Sequence, residues 1–256
     1  MKGTWSTRKI FYITKDLRQT LRLLHDTVFA TQHIRWGSPI SHLVSRPPDA
    51  EAWGDASLKA GGGFSLDLRF WWHLEWPEEV RRRTVNQIQY WDYDQAELVT
   101  INILEFVVII INFVAAVEHW SATANPRQPY PVLLNWCDNT SADSWVARAC
   151  RSSIQGKALG LLLCSYLINC DAGLRSSHLS GDTNTIADRI SRFHTSGSSP
   201  DFSRLLQATP QLRCCRRYHP NPELVSVIFR ILCSTQMPDP TRKLPRGHFD
   251  PAPAGF

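Results

Sequence analysis

Four acidic side chains stand where a folded chain accommodates charge with difficulty, and their type and spacing suit a divalent-cation site. Asp55 ends the run Ala50 to Ser57, which reads as a strand, and Asp138 closes the apolar strand Tyr130 to Cys137. Asp188 sits in the first turns of a helix that begins near Thr185. Glu105 lies inside the apolar stretch Ile101 to Val117, with Ile101, Val108 and Ile109 one turn away on its own face. A lone ionised carboxylate there costs several kcal/mol unless a cation or a donor meets it. Asp55, Asp138 and Asp188 each have an ordinary explanation as a cap, a strand-end turn or a favourable charge at a helix start. Glu105 is harder to explain that way. Parallel strands place their ends together and a crossover helix returns beside them, so all four can converge on one edge of a sheet. Such a cluster repels itself unless divalent cations occupy it, and oxygen-only ligands favour magnesium or manganese over zinc.

The elements that must position these acids follow from periodicity. After the strand at residues 50–57, Gly61-Gly62-Gly63 reads as a turn. Phe64, Leu66, Leu68, Phe70, Trp72, Leu74 and Trp76 then alternate with polar residues as a half-buried β pattern, long enough to need a hairpin turn near Arg69 to Trp71. Residues 77–97 read as polar and irregular, and the run Glu78 to Arg83 as a solvated face. A long helix is expected from about Glu97 to Glu118, followed by the strand ending at Cys137 and a helix from Thr140 or Ser141 to about Ser153. Gly156 then separates a further helix through Ile168. A short strand at Arg175 to Leu179 and the helix carrying Asp188 complete a mixed α/β order. Upstream, Leu17, Leu21, Leu24 and Val28 predict a helix over residues 14–33.

Composition bounds the rest. The chain has 256 residues, 43% hydrophobic and 20% charged, with 13 Gly and 7 Cys, which excludes a disordered chain, a collagen-like repeat and a small disulfide scaffold. The net charge is +5, and most of that excess lies beyond residue 200, so the body lacks a strongly basic nucleic-acid footprint. Cys214-Cys215 near His219 is the only cysteine cluster, and reduced thiols fit it better than zinc. Met1 to Arg22 is polar and basic without an apolar core, so the protein is expected inside the cell, in cytoplasm or nucleus, and not secreted. Ile101 to Val117 and Ala158 to Ile168 are shorter than the ~20 residues of a membrane span, so buried core helices and no membrane partner are expected.

Four motifs occur in order: Asp55-Ala56-Ser57 before the glycine run, Ile101-Asn102-Ile103-Leu104-Glu105-Phe106, Asp138-Asn139-Thr140-Ser141-Ala142, and Gly181-Asp182-Thr183-Asn184-Thr185-Ile186-Ala187-Asp188-Arg189-Ile190-Ser191-Arg192. Together they resemble the ribonuclease H domain of retrotransposon reverse transcriptases. The resemblance implies a ribonuclease H-like α/β fold, a mixed five-stranded sheet flanked by helices, with helical N- and C-terminal extensions. It divides the chain into a helical connection-like segment at residues 1–47, the ribonuclease H-like domain at 48–195, and a Pro-rich linker with a basic helical tail at 196–256.

By the same resemblance Asp55, Glu105, Asp138 and Asp188 are the catalytic acids and bind two Mg2+ (or Mn2+) ions, roughly 4 Å apart. Ser57, Asn139 and Asn184 are candidate substrate-binding groups, Asn184 also being suited to fixing the loop before its helix. The implied activity is metal-dependent endonucleolytic hydrolysis of the RNA strand of RNA–DNA hybrids, in a retroelement-derived protein with a polymerase domain as a further partner. The alternative is a catalytically inactive remnant that binds nucleic acid or assists a polymerase. One departure from the family pattern bears on this choice. Asp182 stands where many such enzymes carry a histidine, and His178 precedes the glycine instead. In the tail, a helix is expected through Leu232, and Arg213, Arg216 and Arg217 read mainly as a solvated surface.

Overall fold

The computed structural model describes residues 47–85, 98–123, 130–148, 153–170, 172–193, 201–234 and 246–253. The helix expected at residues 14–33 and the start of the expected linker, residues 196–200, lie outside them.

Strands β1 (Ala50–Ala56), β2 (Ala60–Ser65) and β3 (Phe70–Glu75) form an antiparallel meander. The glycines expected to turn are instead inside β2. A Cβ on Gly61 would come within 2.7 Å of the Trp76 ring, one on Gly62 would overlap Ile190, and one on Gly63 would overlap Asn112, so the strand needs glycine where helices press on both its faces. The hairpin turn falls at Leu66 to Arg69, slightly earlier than expected, with Arg69 at φ 50°. Pairing of Phe64 with Trp71 then reverses the parity between β2 and β3. Trp71 and His73 are therefore buried on one face while Phe70 and Trp72 are buried on the other, and the expected half-exposed pattern is replaced by one covered on both sides.

Helix α1 (Glu78–Arg83) orders the charge run through exposed pairs such as Arg82 with Glu78, 3.1 Å, which add little stability. The short parallel pair β4 (Thr84–Val85) and β5 (Val99–Thr100) leads into α2 (Ile101–Thr123). This helix starts and ends later than expected. By length and composition it is long enough to cross a membrane, so shortness is no argument against that; 83% of its most apolar window is buried inside the fold. It packs on β1, β2 and β6 (Val132–Cys137) and, on its other side, against α3 (Thr140–Arg148) and α4 (Ile154–Asn169). Gly156 lies within the first turn of α4, where its N–H donates to the Ser153 cap at 3.1 Å, and does not separate two helices.

Strand β7 (Gly173–His178) runs parallel to β6, and α5 (Thr185–Arg192) crosses β1 and β2 on the face opposite α2, burying Ala187, Ile190 and Ser191. Helix α6 (Ser203–Ala208) joins that second apolar cluster through Leu205. Strand β8 (Arg216–His219) adds in parallel to β3, α7 (Pro222–Cys233) puts Leu224, Ile228 and Ile231 into the main core, and β9 (His248–Phe249) closes the edge. The sheet order is β7-β6-β1-β2-β3-β8-β9. It therefore has seven strands where five were expected. The two extra strands come from the stretch read as a basic tail, whose Tyr218 is apolar enough to bury against Phe70 and Phe249. Among the described residues, Cys137, Cys164, Cys214, Cys215 and Cys233 are free thiols.

Candidate metal centre

Strands β1 and β6 are parallel with Trp53 beside Trp136, so Asp55 and Asp138, two residues further along each, emerge side by side at the same sheet edge. Glu105, in the second turn of α2, reaches the same edge, and its Oε1 accepts the Ala56 N–H at 2.8 Å. One ligand oxygen from each of Asp55, Glu105 and Asp138 lies within 4.8 Å of the others. Asp55 is 5% and Glu105 2% exposed, whereas Asp138 opens towards solvent. Three of the four expected acids thus meet in one pocket.

Asp188 does not complete the trio. It sits at the rim, and its Oδ1 accepts a hydrogen bond from Nε of the exposed Arg192 one turn on. Its charge still reaches the pocket. Burial raises the Asp55 carboxyl from 3.8 to about 6, with the Ser191 hydroxyl opposing and the charges of Asp138 and Asp188 reinforcing the rise. Burial, then the Asp55 charge, pushes Glu105 well above the usual carboxylate range. Asp138 is raised by burial and by Asp188, and lowered in part by His178 and Arg192.

The residues expected to touch substrate have internal tasks. Ser57 Oγ donates to the Ser191 carbonyl at 2.8 Å and accepts the Ala60 N–H at 3.1 Å, which ties the β1–β2 turn to α5. Asn139 Oδ1 accepts the Ser141 and Ala142 N–H groups at 3.0 Å each, capping α3. Asn184 Nδ2 donates to the Gly54 carbonyl at 2.9 Å and pins the loop before α5 onto β1. Asp182 is exposed in the turn Gly181–Thr183, and Gly181 lies so near that a Cβ on it would be 3.2 Å from Asp138 Oδ2.

Sequence reasoning missed Ser191, whose hydroxyl hydrogen-bonds Asp55 Oδ2 and is buried beneath it. Its position three residues after Asp188 on an amphipathic helix places it on the same face; that spacing was the available signal.

The second oxygen of Glu105, Oε2, is buried with no hydrogen-bond partner. Buried polar atoms nearly always find partners. An orphaned carboxylate oxygen beside two more acids fits a hard dication, whose ligands are oxygens and whose charge offsets theirs. No protein-family model, curated protein or solved structure matches this chain.

Proposed function

We propose that the chain is a metal-dependent endonuclease of the ribonuclease H type, hydrolysing the RNA strand of RNA–DNA hybrids. The observation that carries this reading is the orphaned Glu105 Oε2 within the trio of acids. The arrangement β3-β2-β1-β6-β7, antiparallel then parallel, supports it as the five-stranded part of the sheet on which such a site is expected.

In this reading Asp55, Glu105 and Asp138 would hold Mg2+ or Mn2+, and Asp188, paired with Arg192 at the rim, would add a fourth carboxylate if released from that pair. Two bound ions supply charge neutralisation and an activated water for in-line displacement at phosphorus. The rest is done by the chain. The Ala56 N–H fixes the Glu105 carboxylate, and the Ser191 hydroxyl fixes that of Asp55. Ser57, Asn139 and Asn184 hold the turn, the helix start and the loop that carry the acids. Recognition of the RNA strand rests on its 2′-hydroxyl, the group that distinguishes it from DNA.

The Asp188–Arg192 pair, together with Asp182 at the expected histidine position, favours a second reading, a non-catalytic module that binds nucleic acid or a polymerase partner. A labelled hybrid incubated with Mg2+ decides between them. Cleavage of the RNA strand, absent with Ca2+ and abolished by Asp138→Asn, is expected. Hybrid bound but intact, with or without Mg2+, would establish the second reading instead.

A further inference from the structure

A second set of ligands lies on the far edge of the sheet, away from the acidic pocket. His219 and His248 are cross-strand partners in the antiparallel pair β8–β9, so their side chains share a face, and Asp250, two residues after His248, returns to that same face. One ligand atom from each of the three lies within 4.8 Å of the others. His219 Nε2 and Asp250 Oδ1 are 3.0 Å apart, close to the ~3.3 Å that separates ligands around a tetrahedral ion with bonds of about 2.0–2.1 Å.

The backbone that carries these side chains is held from several sides. The Gly247 N–H donates to both carboxylate oxygens of Glu118, at 3.0 and 2.9 Å, and Asn221 Nδ2 donates to the Arg246 carbonyl at 2.9 Å. The Asp250 N–H donates to the Arg217 carbonyl at 2.8 Å. Arg217, the cation on the same strand face, lies over the Phe202 ring at 4.2 Å and is engaged there. A backbone fixed in this way loses little freedom on binding.

We propose that His219, His248 and Asp250 form a binding site for a divalent first-row transition metal, Zn2+ first among them, that clamps β9 onto β8. Two imidazoles and a carboxylate suit Zn2+, and they are poor ligands for Mg2+, which demands oxygens. The two rings are now stacked, 4.5 Å between centroids and 5° apart in plane, so their in-plane lone pairs lie in parallel planes and do not converge. Binding needs one ring rotation, and His248 is exposed and can make it. A fourth position is left for water.

The test is a calorimetric titration of the full chain with Zn2+ in a large excess of Mg2+, which occupies the acidic pocket. The expected result is one Zn2+ bound per chain, affinity at least about tenfold weaker in both His248→Ala and Asp250→Asn, and no change in Asp138→Asn. Co2+ in place of Zn2+ gives the visible absorption of a tetrahedral site in the wild type, lost in His248→Ala. Equal Zn2+ affinity in the wild type and His248→Ala, or no saturable binding by the wild type, overturns the proposal. Zinc binding that Asp138→Asn removes and His248→Ala does not would also overturn it, by assigning the metal to the other pocket.

Discussion

Glu105 and Asn112 lie seven residues apart on α2, two turns along one face, and both are buried polar side chains facing β1. Their surroundings differ in one respect. Asn112 has both ends of its amide satisfied: Oδ1 accepts the Trp72 indole N–H at 2.7 Å, and Nδ2 donates to Asn135 Oδ1 at 2.8 Å and to the Trp53 carbonyl at 3.2 Å. Glu105 has one oxygen met by the Ala56 N–H and the other met by nothing, with two further acids beside it. A buried polar group with partners holds a core together. One without them marks a place where the fold has accepted a cost that a ligand can remove.

Neutralising each side chain in turn separates the two roles. Glu105→Gln keeps the volume and removes the charge. Hybrid cleavage in the presence of Mg2+ should fall about 10⁴-fold, near 5.5 kcal/mol of transition-state stabilisation. Thermal stability without metal should stay level or rise. Asn112→Ala should do the opposite. It leaves the Trp72 N–H and the Asn135 amide without their partner, at roughly 4 kcal/mol of folding stability by chemical denaturation, with cleavage per folded molecule unchanged. If Glu105→Gln unfolded the protein and Asn112→Ala silenced it, the two roles would have been assigned the wrong way round.

The pH dependence follows from the raised acids. Asp55 titrates at about 6 in the folded protein against its ordinary 3.8, so the folded state binds that proton more tightly than the unfolded chain. The contribution of this group to stability without metal is therefore fully present below pH 3.8 and is lost as pH rises through about 6, by up to about 3 kcal/mol. Mg2+ should restore it above pH 6 and have little effect at pH 4, which a thermal melt series at several pH values would show. A metal-free protein that gains stability between pH 4 and 6 would contradict the arrangement. The smallest effect belongs to Ser191→Ala. Loss of the hydroxyl donor should move the pH midpoint of metal binding upward by less than about one unit, roughly 1 kcal/mol.

How much of this could be read from the sequence differs between the two residues. Glu105 announced itself, because a carboxylate in an apolar helix has no solvated alternative, and Asp55 and Asp138 followed as the ends of short strands. Asn112 was visible only as a polar interruption, since its partners Trp53, Trp72 and Asn135 are distant in the chain and are assembled by sheet register. The same limit hid β8 and β9. Arg216 and Arg217 made the segment look solvated, but Arg217 is accommodated by the rings of Phe202 and Trp71 and Tyr218 by the core, neither of which local periodicity contains. The glycine run was misread for a related reason. Nothing local distinguishes a glycine that turns from one that admits a helix, and only the approach of α2 and α5 decides it. Asp188 was legible as an acid at a helix start, yet its engagement by Arg192 is an i,i+4 contact that the same reading could have found.

The proposed role of the pocket rests on the free oxygen of Glu105 acting as a metal ligand. Titration of the wild type and Glu105→Gln with Mn2+ at pH 7.5, followed by calorimetry, tests it directly. Saturable binding by the wild type is expected, and its loss in a Glu105→Gln protein that melts no lower. Equal binding by the two proteins, or none by a folded wild type, would contradict it.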